Sequence, residues 1–275
     1  MYEFKYKGSD FYCESVNLKD LAKRYSTPLY IYSYSAIADR FVGLRRAFRP
    51  VAPLICYSVK ANSNLSVLRI LIKLGAGLDI VSGGELYRAR IIKCPPKKIV
   101  YASVGKTEKE IKEAIEYGIL MFNAESESEL DKINTVAQRL RKKVNVALRI
   151  NPDVEPKTHS YIATGMKETK FGINIDSAFR IFLSRIKYDN LNIIGIHIHI
   201  GSQIITAAPF IKAIKRIKFL NDKLKAKGVF LKYLNIGGGL GIVYDKEKPQ
   251  EAGEFARRVL PLLKKIGLKV ILEPG

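Results

Sequence analysis

A closed (β/α)8 barrel is the fold class this sequence predicts, and three observations lead there. From Leu54 onward, strand-like and helical runs alternate with a repeat of roughly thirty residues, and the strand-like runs number eight. Gly75, Gly118, Gly228 and Gly267 each follow a helical run, where a C-cap belongs. Residues able to do chemistry stand after several different strands, at the carboxyl rim where α/β folds place their sites. A doubly wound open sheet shares the alternation, and the count of eight favours closure.

In order, residues 1–28 mix aromatics with charges. Tyr2-Glu3-Phe4-Lys5-Tyr6 alternates like a half-exposed strand, and Asn17 to Tyr25 has the spacing of a short amphipathic helix. Pro28 punctuates before Leu29-Tyr30-Ile31-Tyr32, which reads as another strand, and Ser35 is placed to cap a helix running to Phe48. These features make 1–28 an arm and 29–275 the barrel domain.

The barrel strands are expected at Ile55 to Lys60, Leu78 to Ser82, Ile99 to Ser103, Leu120 to Asn123, Val144 to Ile150, Ile193 to Ile200, Tyr233 to Ile236 and Val270 to Leu272. Their runs of apolar and β-branched residues suit strands buried on both faces. Helices are expected at Leu65 to Leu74, Glu85 to Lys93, Thr107 to Tyr117, Ser126 to Arg141, Asp176 to Lys187, Pro209 to Lys227 and Glu251 to Ile266. The connection between Ile150 and Asp176 is long and rich in proline and glycine, as lids and ligand loops are.

Composition narrows the class. A chain of 275 residues buries enough surface to fold without staples. Cys13, Cys56 and Cys94 are odd in number and widely spaced, as expected of reduced thiols in a cytoplasm. No apolar stretch reaches the length of a membrane span, and the N-terminus has no signal-like apolar core. The net charge of +21 would suit a nucleic-acid partner, but the lysines are dispersed over every helix among glutamates. A solvated surface that draws in small anions is the expectation, with neither nucleic acid nor membrane as partner.

Lys60 follows the first barrel strand; a structural lysine snorkelling to solvent is the plain reading of it alone. Asp79-Ile80-Val81-Ser82-Gly83-Gly84-Glu85 follows the second strand, with two glycines for close backbone approach and flanking carboxylates, or simply a glycine turn. His197 and His199 share one face of the sixth strand by period two. They lack a third ligand of suitable spacing, so no metal is expected, and a ring stacked on a flat ligand suits an inward imidazole better.

Gly237-Gly238-Gly239 after the seventh strand can aim backbone N–H groups at a phosphate. The spacing does not match a dinucleotide-binding Gly-x-Gly-x-x-Gly. Glu273, with Pro274 and Gly275, ends the eighth strand and could face a protonated ring nitrogen or form a rim ion pair. An amine able to condense with an aldehyde, a phosphate cradle, a ring-stacking histidine and an acid together describe a pyridoxal 5'-phosphate site.

In unbroken order, Tyr57 to Asn62, Asp79 to Glu85, His197 to Gln203, Gly237 to Gly241 and Glu273 to Gly275 resemble the motifs of the alanine-racemase-type fold. The likeness is to its ornithine, arginine and diaminopimelate decarboxylases. His199-Ile200-Gly201-Ser202-Gln203, Thr164-Gly165 and Lys170-Phe171-Gly172 are most similar to the diaminopimelate branch. The resemblance implies decarboxylation of meso-2,6-diaminopimelate to L-lysine, with Lys60 holding the cofactor, His199 stacking on its ring and Glu273 pairing with its nitrogen.

It also implies that Ser202, Gly237, Gly238 and Gly239 bind phosphate while Asp79, Glu85 and Arg149 orient the lysine. The resemblance also implies a homodimer, and a chain that continues past Glu-Pro-Gly with an arginine, a further helix and a β-domain carrying a cysteine and a tyrosine. The expectation is a chain lacking that domain, whose arm strands would normally join it. The remaining readings are a decarboxylase of another basic amino acid and a cofactor-binding barrel without turnover.

Overall fold

The computed structural model describes residues 3–155 and 171–275. The stretch Thr164 to Lys170, and with it most of the expected ligand loop, lies outside the described residues.

Three short strands open the chain: β1 (Phe4–Lys7), β2 (Asp10–Cys13) and β3 (Val16–Asn17), paired as an antiparallel sheet in the order β1-β2-β3. Only the first of them is legible in the sequence, since β2 and β3 are too short to show a period. Helix α1 (Leu18–Tyr25) follows directly, the Asn17 side chain accepting from Lys19 N. Helix α2 (Tyr34–Ala47) is capped by Ser33, which accepts from Ala36 N.

Ser35 is therefore not the cap the sequence suggests. Its N–H and hydroxyl, with the hydroxyl of Ser33, all donate to Glu14 Oε1 and so pin α2 to the arm. The strand expected at Leu29 to Tyr32 is absent. Those residues have no regular secondary structure and pair with no strand among the described residues, and Tyr30 is 84% exposed, so β propensity had no sheet to join.

All eight barrel strands form: β4 (Leu54–Ser58), β5 (Gly77–Ile80), β6 (Ile99–Tyr101), β7 (Met121–Ala124), β8 (Val144–Asn151), β10 (Leu191–His197), β11 (Tyr233–Asn235) and β12 (Lys269–Leu272). Parallel pairing runs β10-β11-β12-β4-β5-β6-β7-β8, and the β10–β8 ladder closes the ring. Closure excludes the doubly wound alternative. A two-residue strand, β9 (Ile173–Asn174), is added outside the ring on β8.

The helices α3 (Leu65–Lys73), α4 (Gly83–Ile91), α5 (Glu108–Tyr117), α6 (Glu127–Arg139), α7 (Ile175–Leu183), α8 (Ala208–Ala226) and α9 (Ala252–Ile266) each turn an apolar stripe to the sheet. On α9 the buried positions are Phe255, Ala256, Val259, Leu263 and Ile266, the i, i+4, i+8 spacing of one face. Phe255 meets Phe210 of α8 edge-on at 4.8 Å and Phe48 at 5.9 Å, which locks α9 between its neighbours. Each such ring stabilises the fold by about 1.5–3 kcal/mol through burial alone.

Inside the ring, Cys56, Val100, Met121, Ala147 and Ile271 form a separate apolar layer. Two residues further along β4, β7, β8 and β12, period two brings Ser58, Asn123, Arg149 and Glu273 to the same inward side. The interior therefore changes from apolar to polar in one step toward the carboxyl rim, and that step is the floor of the site.

Candidate active site

Four loops at this rim are stitched to one another by backbone. Ile204 N donates to Gly239 O at 2.8 Å and Gly241 N to Ile204 O at 3.0 Å, joining the loops after β10 and β11. Glu273 N donates to Gly237 O at 2.9 Å, and Ser58 N to Pro274 O at 2.8 Å, which carries the stitching through β12 to β4. Glycine is required here because the loops touch. A Cβ on Gly238 would lie 2.0 Å from Glu273 O, and one on Gly239 would lie 2.0 Å from Gly201 O.

Lys60 is not the last residue of its strand. β4 stops at Ser58, and Lys60 sits in the middle of a single 3-10 turn, Val59–Ala61, with its side chain exposed. The N–H of Ser58 bonds to Pro274 O in continuation of the β4–β12 pairing, and the turn that follows packs on Gly275, whose Cβ position lies 3.3 Å from Ala61 Cβ. Pro274 and Gly275 thus seat the lysine turn.

Beneath it, Ser58 and Asp79 face each other in register across β4 and β5, and Ser58 Oγ donates to Asp79 Oδ2 at 2.7 Å. Burial, then the nearby Glu273 charge, push Asp79 up to about 8, against the pull of Lys60, the Ser58 hydrogen bond and Arg149. Glu273 is likewise raised by burial, while the Asn235 hydrogen bond, Lys60, Arg149 and the Asn123 hydrogen bond hold it down.

Glu273 Oε1 accepts from the side-chain amides of Asn123, at 3.1 Å, and Asn235. Its Oε2 lies 3.1 Å from His197 Nε2, although the two atoms are not aligned for a hydrogen bond. Burial first, then the Arg149 charge, hold His197 well below the usual imidazole range, so that contact is between a neutral ring and an acid.

His197 ends β10, and His199 lies beyond the ladder rather than on the strand. The shared inward face expected from period two applies to His197; His199 is brought in by its loop, with Nδ1 3.1 Å from the Cβ position of Gly237. His199 is lowered to about 3, mainly by burial and then by Arg149.

The triple-glycine turn departs from expectation in one respect. Gly237 N donates to Asn235 Oδ1 at 2.9 Å, so this N–H is already used, whereas those of Gly238 and Gly239 have no internal acceptor among the described residues. Ser202 is exposed beside Gly239. Two orphan backbone donors and a hydroxyl suit a phosphate. The uncommitted Oε2 of a buried carboxylate suits a ring N–H, and the residues present therefore fit pyridoxal phosphate.

Glu85 and Arg149 stand further back. Glu85 Oε2 accepts from Val81 N at 2.7 Å at the start of α4, a capping role. Arg149 donates to Glu125 Oε1 at 2.9 Å and lies over the Phe171 ring. Behind them, Lys106 is fully buried; its Nζ donates to Glu129 Oε1 at 2.6 Å and to the carbonyls of Ser103 and Asn123.

Asn123, Asn235, Ser58 and Lys106 join the site without being among the residues expected from sequence. Period two from the apolar layer could have found the first and third, and the position of Asn235 just before Ile236-Gly237 was a signal. Lys106, in a loop, had none. Among the described residues, no group of three or more His, Cys, Asp or Glu could hold a metal ion, and no helix is long and apolar enough to cross a membrane.

Comparison with known proteins gives a consistent result. Residues 34–275 match the family described as pyridoxal-dependent decarboxylase, pyridoxal binding domain. The chain is similar to the diaminopimelate decarboxylase of Aquifex aeolicus, 50% identical over 98% of this chain and 64% of that protein. It superimposes on the crystal structure of diaminopimelate decarboxylase from Helicobacter pylori complexed with L-lysine with a TM-score of 0.91, at 39% identity, covering 94% of this chain and 66% of that one. A lysine decarboxylase from Selenomonas ruminantium is more distant, with a TM-score of 0.82 at 25% identity over 97% of this chain and 67% of that one. The chain thus spans a little under two thirds of the length of the curated relative.

Proposed function

The chain belongs to the pyridoxal-dependent decarboxylases, and on that premise we propose that it is the cofactor-bearing part of a diaminopimelate decarboxylase. The reaction is loss of carbon dioxide from meso-2,6-diaminopimelate to leave L-lysine. The observation that carries this reading is the convergence of the Lys60 turn, Asp79, Glu273 and the triple-glycine turn on one rim of a closed barrel. Identity to the Aquifex aeolicus enzyme narrows the substrate.

Pyridoxal 5'-phosphate is the family's cofactor, and when bound it supplies a protonated ring that draws electrons from the bond to the departing carboxylate. The chain's own residues do the rest. Lys60 offers the primary amine that holds the cofactor's aldehyde, from an exposed turn anchored by Ser58 and Gly275. Glu273 Oε2 keeps a proton on the ring nitrogen. Gly238, Gly239 and Ser202 would take the phosphate, and His199 would supply a ring to stack on the cofactor.

Asp79, buried beneath the Lys60 turn and held by Ser58, would orient the lysine through its charge. Glu85 and Arg149 brace the rim. Residues 29–275 make one barrel domain, and the arm of residues 1–28 adds its open sheet edge to a further β-domain. The working enzyme is a cytoplasmic homodimer in this reading.

The test is direct. The purified protein reconstituted with pyridoxal phosphate should show the visible absorbance of a lysine-linked cofactor, and Lys60→Ala should abolish it. Carbon dioxide release should be fastest from meso-2,6-diaminopimelate among diamino acids offered singly. Faster release from L-lysine or L-ornithine would favour a decarboxylase of another basic amino acid, for which the Selenomonas ruminantium likeness is the support. Cofactor binding with no release from any of them would leave a binding barrel without turnover.

A further inference from the structure

Glu273 is held from three sides by residues of other strands. Asn123 on β7 and Asn235 on β11 both direct side-chain N–H groups at Oε1, and His197 at the end of β10 faces Oε2. All four side chains are at most 6% exposed. A carboxylate buried so deeply is costly unless hydrogen bonds to its charged form compensate.

The two amides differ in what else they do. Asn235 also accepts the N–H of Gly237 through Oδ1 at 2.9 Å, which fixes the amide with its NH2 group toward Glu273 and ties the acid to the triple-glycine turn. Among the described residues, Asn123 makes no other side-chain hydrogen bond, and its Oδ1 is buried without a partner. Its placement has no evident purpose except the donor it offers to Glu273.

We infer that Asn123 and Asn235 are positioning residues that keep Glu273 ionised, with Oε1 saturated by amide donors and Oε2 left to receive the ring N–H of the cofactor. The inference rests on the cofactor reading above. Amide groups do not titrate near neutrality, so their support for the carboxylate is independent of pH. Without one of them the acid binds its proton more tightly, and the proton shared with the ring nitrogen shifts toward the carboxyl group.

The clean variant is Asn123→Leu, alike in branching and lacking the amide. Protein loaded with pyridoxal phosphate carrying nitrogen-15 in the ring is compared with the parent by nitrogen NMR at pH 8. The parent should show a protonated ring nitrogen, and Asn123→Leu should move the signal toward that of neutral pyridine. Asn235→Leu should do the same and weaken cofactor binding as well, through the lost Gly237 contact.

Asn221→Leu serves as the control, replacing another fully buried asparagine, on α8, that lies outside this cluster. Its ring nitrogen should match the parent. If Asn123→Leu leaves the ring nitrogen as protonated as in the parent, or if Asn221→Leu moves it equally, the inference is overturned. If Asn123→Leu does not fold, an unchanged signal in Asn123→Ser overturns it equally, because serine also withdraws the amide. Failure of the parent to bind the cofactor at all would instead overturn the cofactor reading.

Discussion

Ser58 and Asp79 stand opposite each other on adjacent strands, hydroxyl to carboxylate at 2.7 Å, immediately below the turn that carries Lys60. Asp79 therefore has a donor on one oxygen, while its other oxygen is buried without one among the described residues. This half-satisfied acid has its proton affinity raised by burial and by Glu273 to about 8.

A raised carboxylate penalises the folded state wherever the unfolded chain would be ionised and the folded one would not. The stability of the cofactor-free protein should therefore be free of this penalty below about pH 4 and lose up to about 1.4 kcal/mol per pH unit as pH rises toward 8. Asp79→Asn keeps an acceptor for Ser58 and removes the loss. Urea unfolding at several pH values should show the variant gaining on the parent as pH increases; parallel curves would contradict the assignment.

The histidines act in the opposite direction. His199 is lowered to about 3 by burial and then by Arg149, so its contribution is intact above about pH 6.5 and is lost as pH falls toward 3. His199→Gln should be less sensitive to acid than the parent by about 1.4 kcal/mol per pH unit within that window. The same unfolding series measures it.

Gly238→Ala should be severely damaging. Its Cβ would lie 2.0 Å from Glu273 O, which forces two stitched loops apart and moves the acid with them. A loss of about 1–3 kcal/mol or more is expected from such overpacking, together with weakened binding of pyridoxal phosphate by fluorescence titration. Gly253→Ala is the contrast: with open space around it on α9, that change should be neutral or stabilise by about 0.5–1 kcal/mol.

Lys106→Met should cost about 3–5 kcal/mol, since it strands Glu129 at 9% exposure without its cation. Adding Glu129→Gln should recover part of that loss. A double-mutant cycle by thermal or urea unfolding gives the coupling, and additive losses would show that the pair does not act as a unit.

The order of strands and helices was legible because each is written in local periodicity: apolar runs for strands buried on both faces, stripes for the helices that cover them, glycines where the helices stop. The candidate site was legible for a related reason. Lys60, Gly237 to Gly239 and Glu273 each fall just after a strand, Asp79 is the last residue but one of its strand, and a barrel brings every strand end to one rim.

Tertiary structure alone decided which of those residues act on which. That the Ser58 N–H meets Pro274 O, over two hundred residues away in sequence, follows from the pairing of β4 with β12. That Glu273 is gripped by Asn123 and Asn235 follows from strand register across the closed ring. Periodicity along a chain specifies the face on which a side chain lies; the partner it meets there depends on closure and stagger, which no single stretch of sequence contains.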